Sequence, residues 1–154
     1  MAELTSLEPL AACDGPASMD SWELFNDFVG HQAQSLLGVS KAAYQLRLAC
    51  EELFSNIIRH ANGIQGGSTC THLWVRAWRT NTPEPALVIE LEDNGQQFDP
   101  QFGQAREIDP DQAIEQRSIG GLGLFLVQRS VDRVEYAWVD GHNRYRLFAL
   151  LPTA

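Results

Sequence analysis

From residue 22 onward, Trp22, Phe25, Val29, Ala33 and Leu36 recur three or four apart, which predicts an amphipathic helix. Ser18 or Asp20 can cap its start, and Gly38 stands where it should end. Ser40 can cap a second helix over about 41–60, with Ala43, Leu46, Cys50, Leu53 and Ile57 as its apolar stripe. The period then changes to two. Over 71–79, Leu73, Val75 and Ala77 take one side and Trp74 and Trp78 the other, so the segment reads as a strand. A turn with two prolines fills 81–85, and 86–92 reads as a second strand with Asp93 at its exit. Residues 99–119 are polar and weakly periodic; a connection of that length in a compact domain is unusual and often acts as a lid. A third helix is predicted over 122–131. Strands over 134–139 and 144–151 follow, joined at Asp140-Gly141, a hairpin signal. Residues 1–17, broken at Gly15-Pro16, read as a loose lead-in to a single domain over 18–154. Strands that follow one another directly should pair antiparallel, which predicts an α+β fold and excludes an alternating doubly wound one.

The chain has 154 residues, enough for one domain around one core. Its formal net charge of -9 repels a phosphate backbone, so direct nucleic-acid binding is not expected. ATP is still admissible, because a local nest of N–H groups with Mg2+ can overcome the global field. Cys13, Cys50 and Cys70 fit no zinc or redox spacing, and Cys50 falls on an apolar stripe as a core thiol. His31, His60, His72 and His142 are scattered, with no pair at metal-ligand spacing. No stretch reads as a secretory leader or is apolar for long enough to span a bilayer. The expectation is a cytoplasmic protein with no membrane association.

Three segments carry candidate chemistry. Glu52 and Asn56 lie one turn apart on the second helix, at the edge of its apolar stripe. A carboxylate there can hold a hydroxyl, and an amide oxygen suits a hard cation such as Mg2+. The plainer reading of Glu52 is a solvated helix carboxylate. Asn56 is a poor helix former, and its plainer reading is a side-chain bond to nearby backbone. Asp93-Asn94-Gly95 is either an ordinary strand-ending turn or an adenine site. In the latter, the carboxylate accepts from the exocyclic amine and Gly95 leaves room for the ring. Gly120-Gly121-Leu122-Gly123 opens an apolar helix, as a hinge or as a phosphate cradle at a helix N-terminus. Neither a Walker nor a Rossmann pattern surrounds it. Arg106 and Arg117 fall in the polar connection; each reads as a solvated charge, and either can reach a terminal phosphate. Arg117 joins the candidate nucleotide-binding set.

Taken in order, the segments resemble those of the GHKL, or Bergerat-fold, ATPases. More narrowly, the chain is similar to the anti-sigma-factor serine/threonine kinases of bacterial partner-switching systems. Glu52-x-x-x-Asn56 with His60-Ala61 matches the N box, and Asp93-x-Gly95 with Phe98-Asp99-Pro100 matches the first glycine box. Gly120-Gly121-Leu122-Gly123-Leu124, continuing as Phe125-Leu126-Val127, matches the second. The resemblance implies a two-layer α/β sandwich: a mixed, mostly antiparallel sheet with helices on one face. It implies that Glu52 activates the attacking hydroxyl, Asn56 ligates Mg2+ and Asp93 holds the adenine amine. Gly95 would pack at the base, and Gly121 and Gly123 would let backbone wrap the phosphates of ATP. Implied partners are a STAS-domain anti-anti-sigma protein and a sigma factor, with homodimerisation common among members. Gln97 departs from the family's frequent glycine at that position. The alternatives are an ATP-sensing partner-switching module with little transfer, and a kinase of this fold whose target is not a sigma factor.

Overall fold

The structure, a computed structural model, describes residues 7–61, 70–102 and 119–152. Strand β1 spans Ala11–Pro16, and a 3-10 turn at Met19–Ser21 leads into helix α1, Trp22–Leu37. Helix α2 is Lys41–Ala61, strand β2 His72–Thr80 and strand β3 Ala86–Asp93. Helix α3, Ile119–Ser130, precedes the hairpin of β4, Arg133–Val139, and β5, His142–Leu150. The strands form one sheet in the order β1-β2-β3-β5-β4. Every pairing among the described residues is antiparallel, so the expected mixed sheet is here an antiparallel one.

Residues 11–16 correct the reading of 1–17 as a loose lead-in. They pair with β2 from Ala11 opposite Ala77 to Pro16 opposite His72. Ala, Cys and Gly carry little strand preference of their own. The segment is a strand because β2 offers it an open edge and α1 packs close behind. A Cβ on Gly15 would stand 3.0 Å from Ser21 Oγ and 3.7 Å from Phe25. The small residues that hid the strand are what let the helix approach.

The two helix boundaries at 38–40 follow local chemistry. Gly38, at φ 69° and ψ -161°, ends α1 in a region that is essentially glycine's alone. Ser40 Oγ accepts from Ala43 N at 3.1 Å and caps α2. Ser18 and Asp20 do not cap α1 itself: the 3-10 turn intervenes, and Ser21 occupies the N-cap without a side-chain bond. The buried face of α1 ends on Leu37, with Leu36 packed at the core's margin.

Alternation divides the sheet into two faces. Leu73, Val75, Ala77, Leu87, Ile89, Leu91, Tyr145, Leu147 and Ala149 point to the helices and form the core with Phe25, Leu46, Leu53 and Phe54. Phe25 stacks on Phe54 at 5.4 Å, and burying each such side chain contributes about 1.5–3 kcal/mol. The other face carries charge. Glu90 accepts from Arg146 at 2.6 Å and from Arg76 at 2.9 Å. Glu92 accepts from Arg76 at 3.0 Å and Arg144 at 2.9 Å, and stands 2.6 Å from His142 Nδ1. Trp78, Val88 and Phe148 close this ladder at one end. At Asp140-Gly141 both residues have positive φ, 53° and 78°, the conformation that a two-residue hairpin turn demands.

Candidate functional site

Asp93 ends β3 at an inward register position, between Leu73 of β2 and Asn143 of β5. It is buried, and its Oδ1 accepts from Gly95 N at 2.9 Å and from Asn143 Nδ2 at 2.9 Å. The first bond is an Asx turn, formed because the chain must reverse as it leaves the sheet. Gly95 is needed there on steric grounds. A Cβ would lie 2.7 Å from Cys70 Cβ and 3.1 Å from Asp93 Oδ1. The contact with Cys70 thus accounts for a glycine at this position by itself.

Asn143 is the organising residue that sequence reasoning missed. Its amide also donates to Gln96 O at 2.9 Å, and its oxygen accepts from Phe98 N at 2.9 Å and Tyr136 Oη at 2.6 Å. One buried side chain thus ties β5, β4 and the 93–98 turn together. A signal was present: Asn143 holds a core register position in the series Asn143, Tyr145, Leu147, Ala149. A polar residue there must find partners. Asn94 secures the other flank, its Oδ1 accepting from Thr71 N at 2.9 Å and His72 N at 3.0 Å.

The surroundings are dry. Burial first, then the charge of Asp93, pushes the Cys70 thiol up to about 11. The same two causes raise the Tyr145 phenol above its ordinary value. In such a medium a fixed carboxylate is a strong acceptor for an amine donor.

Glu52 and Asn56 project from α2 on the helix-covered side of the sheet. Asn56 is 7% exposed, and among the described residues nothing hydrogen-bonds its side-chain amide. The plainer reading of Asn56, a bond to nearby backbone, has no counterpart among the described residues. A buried amide without a partner is costly, and an amide oxygen facing a hard cation is one remedy. Glu52 is half-buried. Its Oε2 lies 2.7 Å from where a Cβ on Gly123 would be, so α2 and α3 meet at that point.

The structure therefore joins the first helix pair to the second glycine segment, and Asp93 to Gly95, on one side of the sheet. Gly120, Gly121 and Leu122 lie in the first turn of α3, as expected for a glycine run opening a helix. Gln97 is exposed, so its bulk points away from the core. Arg106, Arg117 and most of the expected 99–119 lid lie outside the described residues. No group of three His, Cys, Asp or Glu side chains able to hold a metal occurs among the described residues. No described helix is long and apolar enough to cross a membrane.

Residues 16–147 match the family model for the histidine kinase-like ATPase domain. The serine-protein kinase RsbW of Listeria monocytogenes serovar 1/2a is 30% identical over 105 residues, covering 66% of this chain and 62% of the kinase. RsbW of Listeria innocua serovar 6a matches to the same extent. The aligned part thus spans just under two thirds of these relatives' length. An ATPase domain implies a site for ATP, and the buried carboxylate at Asp93 and the buried amide at Asn56 suit one. The match over most of its length, on the fold and motifs described, shows that this chain belongs to the histidine kinase-like ATPase family.

Proposed function

We propose that this protein is an ATP-dependent serine/threonine-protein kinase and anti-sigma factor. It phosphorylates a STAS-domain anti-anti-sigma partner and, when that partner is withdrawn, sequesters a sigma factor. The observation that carries the reading is the meeting of Glu52, one turn from the buried Asn56, with the second glycine segment at Gly123. It sets a carboxylate able to accept a hydroxyl proton beside an amide able to ligate a cation, at the start of a helix. The serine-protein kinase named among the relatives supports the choice of hydroxyl acceptor.

Mg-ATP, when bound, supplies the phosphoryl group and the electrophilic charge on it. Asp93 accepts the adenine amine in the dry pocket, and Asn143 holds that carboxylate in place. Asn56 would hold the metal through its amide oxygen. Glu52 would accept the proton of the partner's hydroxyl as that oxygen bonds to the terminal phosphorus and the bond to the departing ADP breaks. Catalysis on this scheme is positioning and electrostatics. The added phosphate charge at the partner interface favours release.

The test is incubation with Mg-ATP and a STAS-domain partner, reading the partner's mass for one added phosphoryl group. Glu52→Gln should remove transfer while calorimetric ATP binding persists; transfer undiminished in that variant removes the base assignment. Binding of ATP with no transfer to any STAS partner would leave a nucleotide-sensing module instead. Transfer without capture of a sigma factor would point to a different downstream target.

A further inference from the structure

We propose that Gly123 is a positioning residue for Glu52: a hydrogen on its Cα is the only substituent that leaves the carboxylate where it stands. The inference rests on Glu52 being the proton acceptor, and it reassigns a glycine whose expected role was to wrap phosphate.

Gly123 is the fifth residue of a twelve-residue helix. Glycine inside a helix is less favourable than alanine, so it needs a compensating reason. Conformation does not provide one. Among the described residues the glycines at positive φ are Gly38 and Gly141, so Gly123 holds a backbone that alanine adopts freely. Space does provide one. A Cβ would stand 2.7 Å from Glu52 Oε2 and 3.7 Å from its Cδ. An ordinary carbon–oxygen contact needs roughly 3.3 Å, so the carboxylate would retreat by about 0.6 Å or change rotamer. Among the described residues no hydrogen bond or ion pair holds the Glu52 carboxylate, so nothing there opposes that displacement.

The contrast with Gly95 sharpens the argument. There a Cβ meets the Cβ of Cys70, which cannot swing aside. At Gly123 the obstructing atom is the tip of a flexible side chain. The added methyl therefore leaves the fold intact and acts on the placement of one carboxylate.

The experiment is Gly123→Ala in the full chain, measured by thermal unfolding, ATP calorimetry and steady-state phosphoryl transfer. Unchanged or higher Tm and ATP affinity within about threefold are expected, with kcat lowered about 10- to 100-fold, as for a displacement approaching 1 Å. Glu52→Asp supplies the rescue arm. Its shorter side chain clears the methyl, so adding Gly123→Ala to that background should cost less than about threefold. A crystal structure of Gly123→Ala should show the Glu52 carboxylate displaced, and this readout needs no turnover. The proposal is overturned if ATP affinity falls tenfold or more with kcat intact, which would return Gly123 to phosphate binding. It is also overturned by an unmoved carboxylate or by strictly additive losses in the double variant. Absence of transfer by the wild-type protein would defeat the kinase reading alone, because the crystallographic displacement would still be decided.

Discussion

Replacing Asn143 by alanine should destabilise this protein and loosen its grip on ATP together. Four hydrogen bonds of 2.6–2.9 Å are lost at once: to Asp93, Gln96, Phe98 and Tyr136. Each has a net worth of about 0.5–1.5 kcal/mol. Gln96 is exposed, and Phe98 and Tyr136 are half-buried, so water can reach most of the orphaned groups and the full desolvation penalty does not apply. The sum is about 3–4 kcal/mol, or a Tm fall on the order of 10 °C for a chain of this size. Asp93 keeps its bond from Gly95 N but loses a lateral tether, so ATP affinity should drop about tenfold through misorientation of the acceptor. Urea unfolding followed by circular dichroism gives the first quantity, and calorimetric titration the second. Asn143→Asp is the discriminating control. It preserves shape but sets a carboxylate oxygen against Asp93 Oδ1, where the amide stood at 2.9 Å. The neighbouring charge raises the new group's folded pKa above its unfolded value of about 3.9. The penalty is thus full at neutral pH and relieved as pH falls through the folded pKa. A stability loss below 1 kcal/mol in Asn143→Ala, with ATP affinity unchanged, would refute the tether.

Glu90→Ala should cost about 3–5 kcal/mol in urea unfolding, because it strips the carboxylate from Arg146, whose side chain is 1% exposed. Replacing Glu90 and Arg146 together by Met should recover most of that loss; no recovery would show that the pair is worth more than its volume in apolar atoms. Burial opposes ionisation of Glu92, but the hydrogen bond from His142 and the charges of Arg144 and Arg76 outweigh it, and its pKa lies below the usual carboxylate value. A depressed folded pKa gives stability that is present above the unfolded value and lost as pH falls through the folded one. Stability should therefore decline below about pH 4.5, less steeply in Glu92→Gln, and parallel pH profiles would count against the assignment. Burial, then the charge of Asp14, pushes the Cys13 thiol up to about 11, matching Cys70. At pH 8 the folded protein should react with a disulfide reagent over 100-fold more slowly than the urea-unfolded chain. Comparable rates would mean that these thiols open to solvent in the native state.

Strong periodicity made most of the fold legible. The stripes of α1 and α2, the alternation of β2 and the Asp140-Gly141 turn each encode local geometry in local sequence. Strand β1 escaped because its residues are small for the sake of α1 and become a strand only through pairing with β2. The residues of the proposed site stood out in the sequence, since Glu52, Asn56, Asp93 and Gly95 fall in motifs within short windows. Asn143 and Cys70 did not, because each acquires its role from a segment 50 or 25 positions away, at Asp93 and Gly95. The antiparallel register of β3 and β5 brings Asn143 against Asp93. No spacing rule within either strand announces that.

Adjacent acids at positions 92 and 93 have opposite destinations: Glu92 joins the ionic ladder, while Asp93 turns inward to Asn143. Moving β3 by a single residue would turn each to the opposite face, carrying Glu90 and Glu92 away from their arginines and Asp93 away from Asn143. The two acids thereby act as a double lock on alignment, so frame errors in strand pairing are penalised on both surfaces at once. Insertions should be well tolerated in the 81–85 reversal, yet one extra residue anywhere between Ala86 and Asp93 should forfeit the ladder and the Asp93–Asn143 contact in a single stroke.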